Sequence, residues 1–336
     1  MATGREWRGE ASARAGLAGN PSDALGGAAL AVPVPSLRCT VTLRAADRLR
    51  VRGPDDEGAW PSIGALEAHA SRFGHEGADR LVTAALVTLS RHARRQGLAL
   101  VDENEAFEIE WTTGIPRSVG LAGSSALVIA TIRAAAARWQ LDLTPTVVAS
   151  LALTAERDEL GIGAGWMDRA VQARDAPVLV DARDESTIDG VMVPAMTVVQ
   201  PNHAIEMMVA WDPSAAAPSG RLHGSLRERL DAGDPGLLRD VDELVVQAHA
   251  AAVALQAADM IALAVAVDRS CELRRSLGAL DASTAALVEV ARSVGAAATS
   301  AGSGGAVSVV VAADRLDAVD RHFVDAGIAT TRVALG

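Results

Sequence analysis

The stretch Ile115–Arg133 reads IPRSVGLAGSSALVIATIR, a loop of small residues that runs into an apolar helix. Two glycines precede the paired serines Ser124 and Ser125, where the helix is predicted to begin. Small residues let the backbone approach a ligand closely, and the first turn of a helix directs free N–H groups and a positive dipole end towards an anion. The pattern predicts a phosphate-binding loop. The alternative is an ordinary capped helix start, because serine is a favoured N-cap residue.

The amino-acid composition limits the classes of protein to which the chain can belong. The chain has 336 residues, 49% hydrophobic and 22% charged, which indicates a globular protein with one large domain or two. Its net charge of −11 argues against nucleic acid as the main partner. All 31 basic residues are arginines, so a P-loop lysine, a Schiff-base lysine and a lysine general base are excluded.

Two features of the sequence predict the cellular compartment of the protein. Cys39 and Cys271 lie far apart in the sequence, which is typical of a reducing compartment and gives no disulfide framework. The N-terminal sequence lacks an apolar signal core, and the most apolar later run, Ala250–Val267, is interrupted by Gln256 and Asp259. We therefore expect a cytoplasmic protein with no membrane partner.

The organisation of the chain is predicted from its patterning. We expect residues 1–12 to be a disordered N-terminus, because they are polar and irregular. Strands and helices alternate over residues 13–203, whereas residues 204–336 are mostly helical. This change predicts an N-terminal domain and a C-terminal domain that meet near residue 203.

Two other glycine-rich loops share the setting of the phosphate-binding loop and make three with it, and a further loop ends in a Met-Asp-Arg sequence. GNPSD at Gly19–Asp23 and GSGG at Gly302–Gly305 each lie between predicted elements, and the glycine-rich loop Leu160–Arg169 ends in Met167-Asp168-Arg169. In this order the segments resemble the GHMP kinase superfamily of small-molecule kinases over about residues 14–312, and they look closest to its glucuronokinases. The resemblance is carried by ARAGLAGNPSD (13–23), IPRSVGLAGSSALV (115–128), GIGAGWMDRAVQ (161–172), SGRLHGSLRER (219–229), DRSCELRRS (268–276) and AGSGGAV (301–307).

The resemblance implies an α+β fold in two lobes. The N-terminal domain would be like domain 2 of ribosomal protein S5, the C-terminal domain would be ferredoxin-like, and the active site would lie between them. The implied reaction is ATP-dependent phosphorylation of the anomeric hydroxyl of D-glucuronate, giving glucuronate 1-phosphate and ADP. Alternatives are another acceptor, such as galactose, arabinose or a small alcohol, and a catalytically silent sugar and ATP sensor. An unrelated binding module fails if all three Gly-rich loops meet in one cleft.

The resemblance also assigns the ATP and Mg²⁺ contacts. Ser124 and Glu156 would ligate the metal, which prefers oxygen ligands and keeps several waters. The loop reads GLAGSSAL where relatives commonly have GLGSSAA, so either Ser124 or Ser125 could hold the metal. A solvated position in a charged helix is the alternative for Glu156. The residues expected to bind ATP phosphates are Pro116, Gly120, Leu121, Ala122, Gly123, Ser124, Ser125 and Ala126.

Two residues are implied to be catalytic. Asp168 would abstract or orient the proton of the accepting hydroxyl, and a helix N-cap is its alternative. Arg14 would stabilise charge on the transferring phosphoryl group or lower the pKa of the acceptor, and a surface strand arginine is its alternative. Many relatives have Pro-Gly before this position, where this chain has Ser12 and Ala13.

The sugar would be bound by side chains from several loops. A uronic acid needs a cation for its carboxylate, and arginine is the natural bidentate partner. Arg169, Arg274 and Arg275 are open candidates for this role, and His223 is a weaker one. The other residues expected to contact the substrate are Asn20, Asp23, Gly302, Ser303 and Gly304.

Overall fold

The structure, a computed structural model, describes residues 5–52, 58–101, 103, 105–188, 191–214 and 220–336. The strands are β1 Glu6–Ala18, β2 Ala28–Ala45, β3 Leu49–Arg52, β4 Ala59–Trp60, β5 Phe107–Thr113, β6 Val178–Ile188, β7 Val191–Val198, β8 Ile205–Trp211, β9 Ala297–Ser300, β10 Ala306–Val310 and β11 Ala329–Leu335. The helices are α1 Ile63–Phe73, α2 Arg80–Arg95, α3 Gly123–Trp139, α4 Pro145–Thr154, α5 Met167–Arg174, α6 Gly220–Asp231, α7 Pro235–Ala257, α8 Met260–Ser276, α9 Ala282–Ser293 and α10 Leu316–Asp325. A 3₁₀ turn spans Ser22–Leu25, and a π-helical turn, Ala155–Glu159, continues α4.

The first sheet is built on the long strand β2. Its order is β4-β3-β5-β2-β6-β7, and β1 pairs antiparallel with β2 along most of its length. Helix α3 packs across β1 because Gly9 has no side chain: a Cβ there would overlap the backbone of Ala130 and Ala134. This contact fixes the start of α3 relative to the loop that follows β1.

The second sheet has the ferredoxin-like strand order. Its strands run β11-β8-β10-β9, which is 4-1-3-2 in chain order, with helices between β8 and β9 and between β10 and β11. All its pairings are antiparallel. The backbone N–H of Gly16 donates to Ala301 O at 2.7 Å, and Ser308 Oγ donates to Gly16 O at 2.7 Å. These bonds join the second sheet to β1 beside the glycine-rich loops.

One prediction for the N-terminus is wrong. Residues 6–12 are part of β1 and pair with residues 38–44 of β2, rather than forming a disordered segment. Their exposed charges alternate with the inward-facing Trp7, Gly9 and Ala11, which is the pattern of a half-buried strand. Glycine and alanine contribute so little hydrophobicity that this alternation is a weak strand signal in the sequence.

The helices of the described residues include none that is both long and apolar enough to cross a membrane.

Candidate active site

The three glycine-rich loops border one cavity of about 650 Å³, a size typical of small-ligand sites. In chain order, the first loop is Gly19–Asp23, the second is the phosphate-binding loop that leads into α3, and the third is Gly302–Gly305. Asn20 and Asp23 come from the first loop, Gly120 to Ser124 from the second, and Gly302 and Ser303 from the third. The loop before α5 adds Gly161 to Gly165 to the same lining. The alternative of an unrelated module with separate turns is therefore wrong.

The second and third loops touch through their backbones. Gly120 has φ +77°, and a Cβ there would lie 2.7 Å from Gly304 O and 2.9 Å from the Ser303 nitrogen. Behind the third loop, the Gly305 N–H donates to Thr284 Oγ1 at 2.8 Å, and that hydroxyl donates to Asp281 at 2.6 Å. Glycine is needed at position 120 for both the left-handed conformation and the close approach.

The start of α3 directs the N–H groups of its first turn towards the cavity. The N-cap residue is Ala122, with φ 59° and no side-chain capping bond, so the N–H groups of the first turn are not satisfied by a cap. The alternative of a serine-capped helix is therefore wrong. Free N–H groups and the positive end of the helix dipole suit a phosphate.

The serine pair is divided between the cavity and the core. Ser124 is exposed and lines the cavity, whereas Ser125 is fully buried and donates to Ala122 O at 3.3 Å. Ala126 is also fully buried, and the side of Gly304 where a Cβ would stand faces Asp281. The side chains of Ser125 and Ala126 thus face the core rather than the cavity, and Gly304 packs towards Asp281, because successive residues of a helix or tight loop face different sides. The Pro116, Gly120, Leu121, Ala122, Gly123 and Ser124 positions do line the cavity.

Arg14 and Asp168 form an ion pair at the edge of the cavity. Arg14 Nε donates to Asp168 Oδ1 at 2.5 Å, while its Nη1 donates to the carbonyls of Gly120 at 2.7 Å and Ala301 at 2.8 Å. Arg14 is only 4% exposed, so it is not a surface arginine. The guanidinium ties the second and third loops to the carboxylate.

Asp168 occupies the first turn of α5 and does not cap it. The N-cap position is Trp166, and no side-chain capping bond is made there. The carboxylate keeps a side-chain exposure of 20% on the cavity. A carboxylate held by a buried arginine and open to a cavity is available to a ligand's hydroxyl group.

Glu156 is buried in the π-helical turn after α4 and pairs with Arg169. Its Oε2 accepts from Arg169 Nε at 2.7 Å and also from Nη2. Nη1 of Arg169 donates to Gly165 O at 3.0 Å and lies 3.4 Å from Asp168. Burial disfavours the charged guanidinium, but the carboxylates of Glu156 and Asp168 raise the pKa of Arg169.

This pairing corrects two expectations. Glu156 is fully buried, so it is not a solvated residue of a charged helix. The positive charge of Arg169 is paired with the carboxylate of Glu156 and lies 3.4 Å from that of Asp168, so a third carboxylate from the substrate is disfavoured there. Arg169 instead holds two acidic residues of the site in place.

The donor set fits Mg²⁺. Glu156 Oε1 is buried on the cavity wall and has no hydrogen-bond partner among the described residues, and the hydroxyl of Ser124 lines the same cavity. The described residues contain no cluster of three metal-ligating side chains. Mg²⁺ commonly binds through one or two protein oxygens, waters and substrate phosphates, so a cluster of that kind is not required.

The first loop places two polar side chains beside Asp168. Asp23 Oδ2 accepts from the Met167 N–H at 3.1 Å, and a Cβ at Gly165 would lie 2.5 Å from that oxygen. Asn20 donates to Ser300 O at 3.4 Å, whereas its buried Oδ1 has no partner among the described residues. Both side chains border the cavity.

The candidate carboxylate ligands have different surroundings. Arg274 is 2% exposed and lines the cavity. Arg275 is 43% exposed and pairs with Glu289 at 3.1 Å, so it faces away from the site. His223 lies outside the residues whose side chains the structure describes.

Part of the cavity lining was not predicted as part of a site. It includes the apolar residues Leu81, Trp111, Ile115 and Leu127, with Arg80 and Arg117 exposed beside them. Leu81 and Trp111 belong to α2 and β5, which no glycine-rich motif marks as part of a site.

The fold matches solved small-molecule kinases. It is similar to a Streptococcus pneumoniae phosphomevalonate kinase in complex with phosphomevalonate and AMPPNP, with a TM-score of 0.76, 15% identity and coverage of 97% of this chain and 99% of that chain. It is also similar to a Lactococcus lactis galactokinase complexed with galactose, with a TM-score of 0.73, 14% identity and coverage of 98% and 93%. These likenesses confirm the predicted fold class, the two-lobed GHMP kinase fold.

Sequence relatives identify the group within this superfamily to which the chain belongs. The family model of the GHMP kinase N-terminal domain matches residues 80–175. "Probable glucuronokinase 2" of Arabidopsis thaliana is 31% identical over 306 residues, which is 88% of this chain and 82% of the relative. "Glucuronokinase 1" of the same plant is 30% identical over 308 residues, with coverage of 88% and 83%. The chain therefore belongs to the glucuronokinase group of the GHMP kinase superfamily, as predicted.

Proposed function

We propose that the protein is an ATP-dependent kinase that phosphorylates the anomeric hydroxyl of D-glucuronate, giving glucuronate 1-phosphate and ADP. The observation that carries the proposal is the Arg14–Asp168 pair, held where three glycine-rich loops border one cavity. The relatives named glucuronokinase support both the reaction class and the acceptor. Two buried free thiols, Cys39 and Cys271, fit a reducing compartment, and we propose the cytoplasm.

Asp168 acts on the accepting hydroxyl. Its carboxylate takes the proton of the anomeric hydroxyl as that oxygen forms a bond to the γ-phosphorus of ATP and the bond to the β–γ bridging oxygen breaks. ADP leaves with the electron pair of that bond. Arg14 orients the carboxylate, and its positive charge stabilises the negative charge that develops during transfer.

The phosphates are held by the start of α3. The unpaired N–H groups after Ala122 and the loop from Gly120 to Ser124 bind them through the backbone, which explains how the site operates without lysine. Ser124 and the unpartnered oxygen of Glu156 would hold Mg²⁺, which neutralises phosphate charge when bound. The apolar wall that includes Trp111 suits the adenine base.

The acceptor is held by the first and third loops. Asn20 offers a free amide oxygen to a sugar hydroxyl, and Asp23 and Ser303 add polar groups to the same wall. Paired donors and acceptors of this kind discriminate among sugars through their hydroxyl groups.

A substrate panel tests the proposal. The purified protein is mixed with ATP and Mg²⁺ and with D-glucuronate, D-galactose, L-arabinose or D-glucose, and ADP release is followed. We expect D-glucuronate to give the highest kcat/KM. Turnover with galactose but not glucuronate would overturn the assignment of D-glucuronate as the acceptor. Binding of ATP and sugar without any turnover would indicate a catalytically silent sensor instead.

A further inference from the structure

Arg274 is a buried cation of the site that has no carboxylate partner among the described residues. Arg14 pairs with Asp168, and Arg169 pairs with Glu156. In the described part of the chain, Arg274 bonds only to backbone carbonyls: Nε to Ala279 at 2.7 Å, Nη1 to Asn20 at 3.4 Å and Nη2 to Gly302 at 2.5 Å.

The charge of Arg274 is poorly compensated. Burial lowers its pKa to about 10, and the nearby positive charge of Arg14 acts in the same direction. Asp23 and Asp281 provide a favourable field, but neither forms an ion pair with it. A buried cation without a partner is costly, so an anion bound beside it would relieve that cost.

The geometry leaves donors for such an anion. A guanidinium has five N–H groups, and three are used by the carbonyls, which leaves one N–H on each terminal nitrogen. An N–H group on each terminal nitrogen can donate to one oxygen of a carboxylate. The three carbonyls fix the plane of the guanidinium, so little side-chain entropy is lost when a ligand binds.

Arg274 also lies next to the reacting end of the site. Gly302 separates the two buried arginines: its carbonyl accepts from Arg274, and a Cβ on it would lie 2.6 Å from Arg14 Nη1. Arg14 holds Asp168. A molecule whose hydroxyl lies at Asp168 thus has Arg274 close by, on the other side of Gly302.

We propose that Arg274 binds the carboxylate of the acceptor and so makes the kinase specific for uronic acids over neutral sugars. This inference rests on the proposed function and assigns the acid-recognising residue of the same site. The backbone carbonyl of Asn20 accepts a hydrogen bond from Arg274. The side-chain Oδ1 of Asn20, which has no partner among the described residues, would accept a hydrogen bond from an adjacent sugar hydroxyl.

A purely structural role is the competing explanation, because Arg274 joins the first loop, the third loop and the segment after α8 through its carbonyl contacts. A brace of this kind would affect every acceptor and the nucleotide alike. The test must therefore measure discrimination between a charged and an uncharged acceptor of the same shape.

The experiment compares D-glucuronate with D-glucuronamide, in which an amide replaces the carboxylate. The ratio of kcat/KM for the acid to that for the amide is measured in wild type, Arg274→Gln and Arg274→Lys, with saturating ATP. Arg275→Gln is the matched control, because it removes the neighbouring, exposed arginine. The Kd for ATP confirms that each variant is folded.

We expect wild type to prefer the acid by about 10- to 100-fold, the range of charge-assisted hydrogen bonds. Arg274→Gln should lower the ratio to near one, mainly through KM for the acid, Arg274→Lys should give an intermediate ratio, and Arg275→Gln should leave it unchanged. An equal loss for acid and amide, or an unchanged ratio in any folded Arg274 variant, would overturn the proposal. Should Arg274→Gln not fold, the Arg274→Lys ratio decides alone. If wild type phosphorylates no sugar, the proposed function itself has failed.

Discussion

The contact between the second and third loops can be tested by adding one methyl group at Gly120. In Gly120→Ala the new Cβ would stand 2.7 to 2.9 Å from three backbone atoms of Ser303 and Gly304, where no flexible side chain can move aside. Overpacking of this kind costs about 1–3 kcal/mol. Alanine also pays a penalty of about 1–2 kcal/mol in the left-handed region, partly offset by about 0.4–1 kcal/mol of unfolded-state entropy.

The variant Gly97→Ala separates the packing cost from the backbone cost. Gly97 has φ +67°, close to the +77° of Gly120, but a Cβ there meets nothing within 4 Å. The backbone penalty is therefore shared, and the difference between the variants in free energy of unfolding should be about 1–3 kcal/mol, measured by urea denaturation. Gly120→Ala should also raise KM for ATP, whereas Gly97→Ala should not. Equal stability and equal KM in the two variants would show that the loops are not packed as described.

Two further outcomes follow from the structure. Ala122→Gly should raise the free energy of unfolding by about 0.5–1 kcal/mol, because the penalty for alanine at φ 59° exceeds the entropy that glycine adds to the unfolded chain. A urea midpoint below that of wild type would contradict this expectation. Burial raises the pKa of the Cys39 thiol from 9.0 to about 12, so the unfolded chain loses this proton first, and stability should fall as pH rises from 9 towards 12, by up to about 1.4 kcal/mol per pH unit. Cys39→Ala should make that decline shallower, and an identical slope in wild type and variant between pH 9 and 10.5 would contradict it.

Local sequence signals predicted much of the fold. The apolar run after the serines predicted α3 to within one residue of its observed start, and Thr144-Pro145 marked the start of α4, where the Thr144 side chain accepts from the Val147 N–H. Glycine-rich loops between predicted elements located the walls of the cavity, because small residues at loop tips leave room for a ligand. The length of β1 was missed because Gly9 and Ala11 carry little hydrophobic signal.

The partners of the charged residues could not be predicted. Arg169 and Glu156 are thirteen positions apart, and they meet only because the π-helical turn and α5 bring both inward. The choice between Arg274 and Arg275 likewise depends on which side of α8 faces the core, since adjacent helix residues point in different directions. Ser124 and Ser125 are divided for the same reason, by the observed start of α3 at Gly123.

The central claim is that Asp168 directs phosphoryl transfer from ATP to the anomeric hydroxyl of glucuronate. Phosphorus and proton NMR of a reaction with D-glucuronate, ATP and Mg²⁺ identifies the phosphorylated carbon, and the rate is compared between wild type and Asp168→Asn. We expect glucuronate 1-phosphate from wild type, and a kcat lower by about 10²–10⁴ in the variant with Kd for ATP nearly unchanged. Phosphate on another hydroxyl, or an Asp168→Asn variant as fast as wild type, would contradict the account.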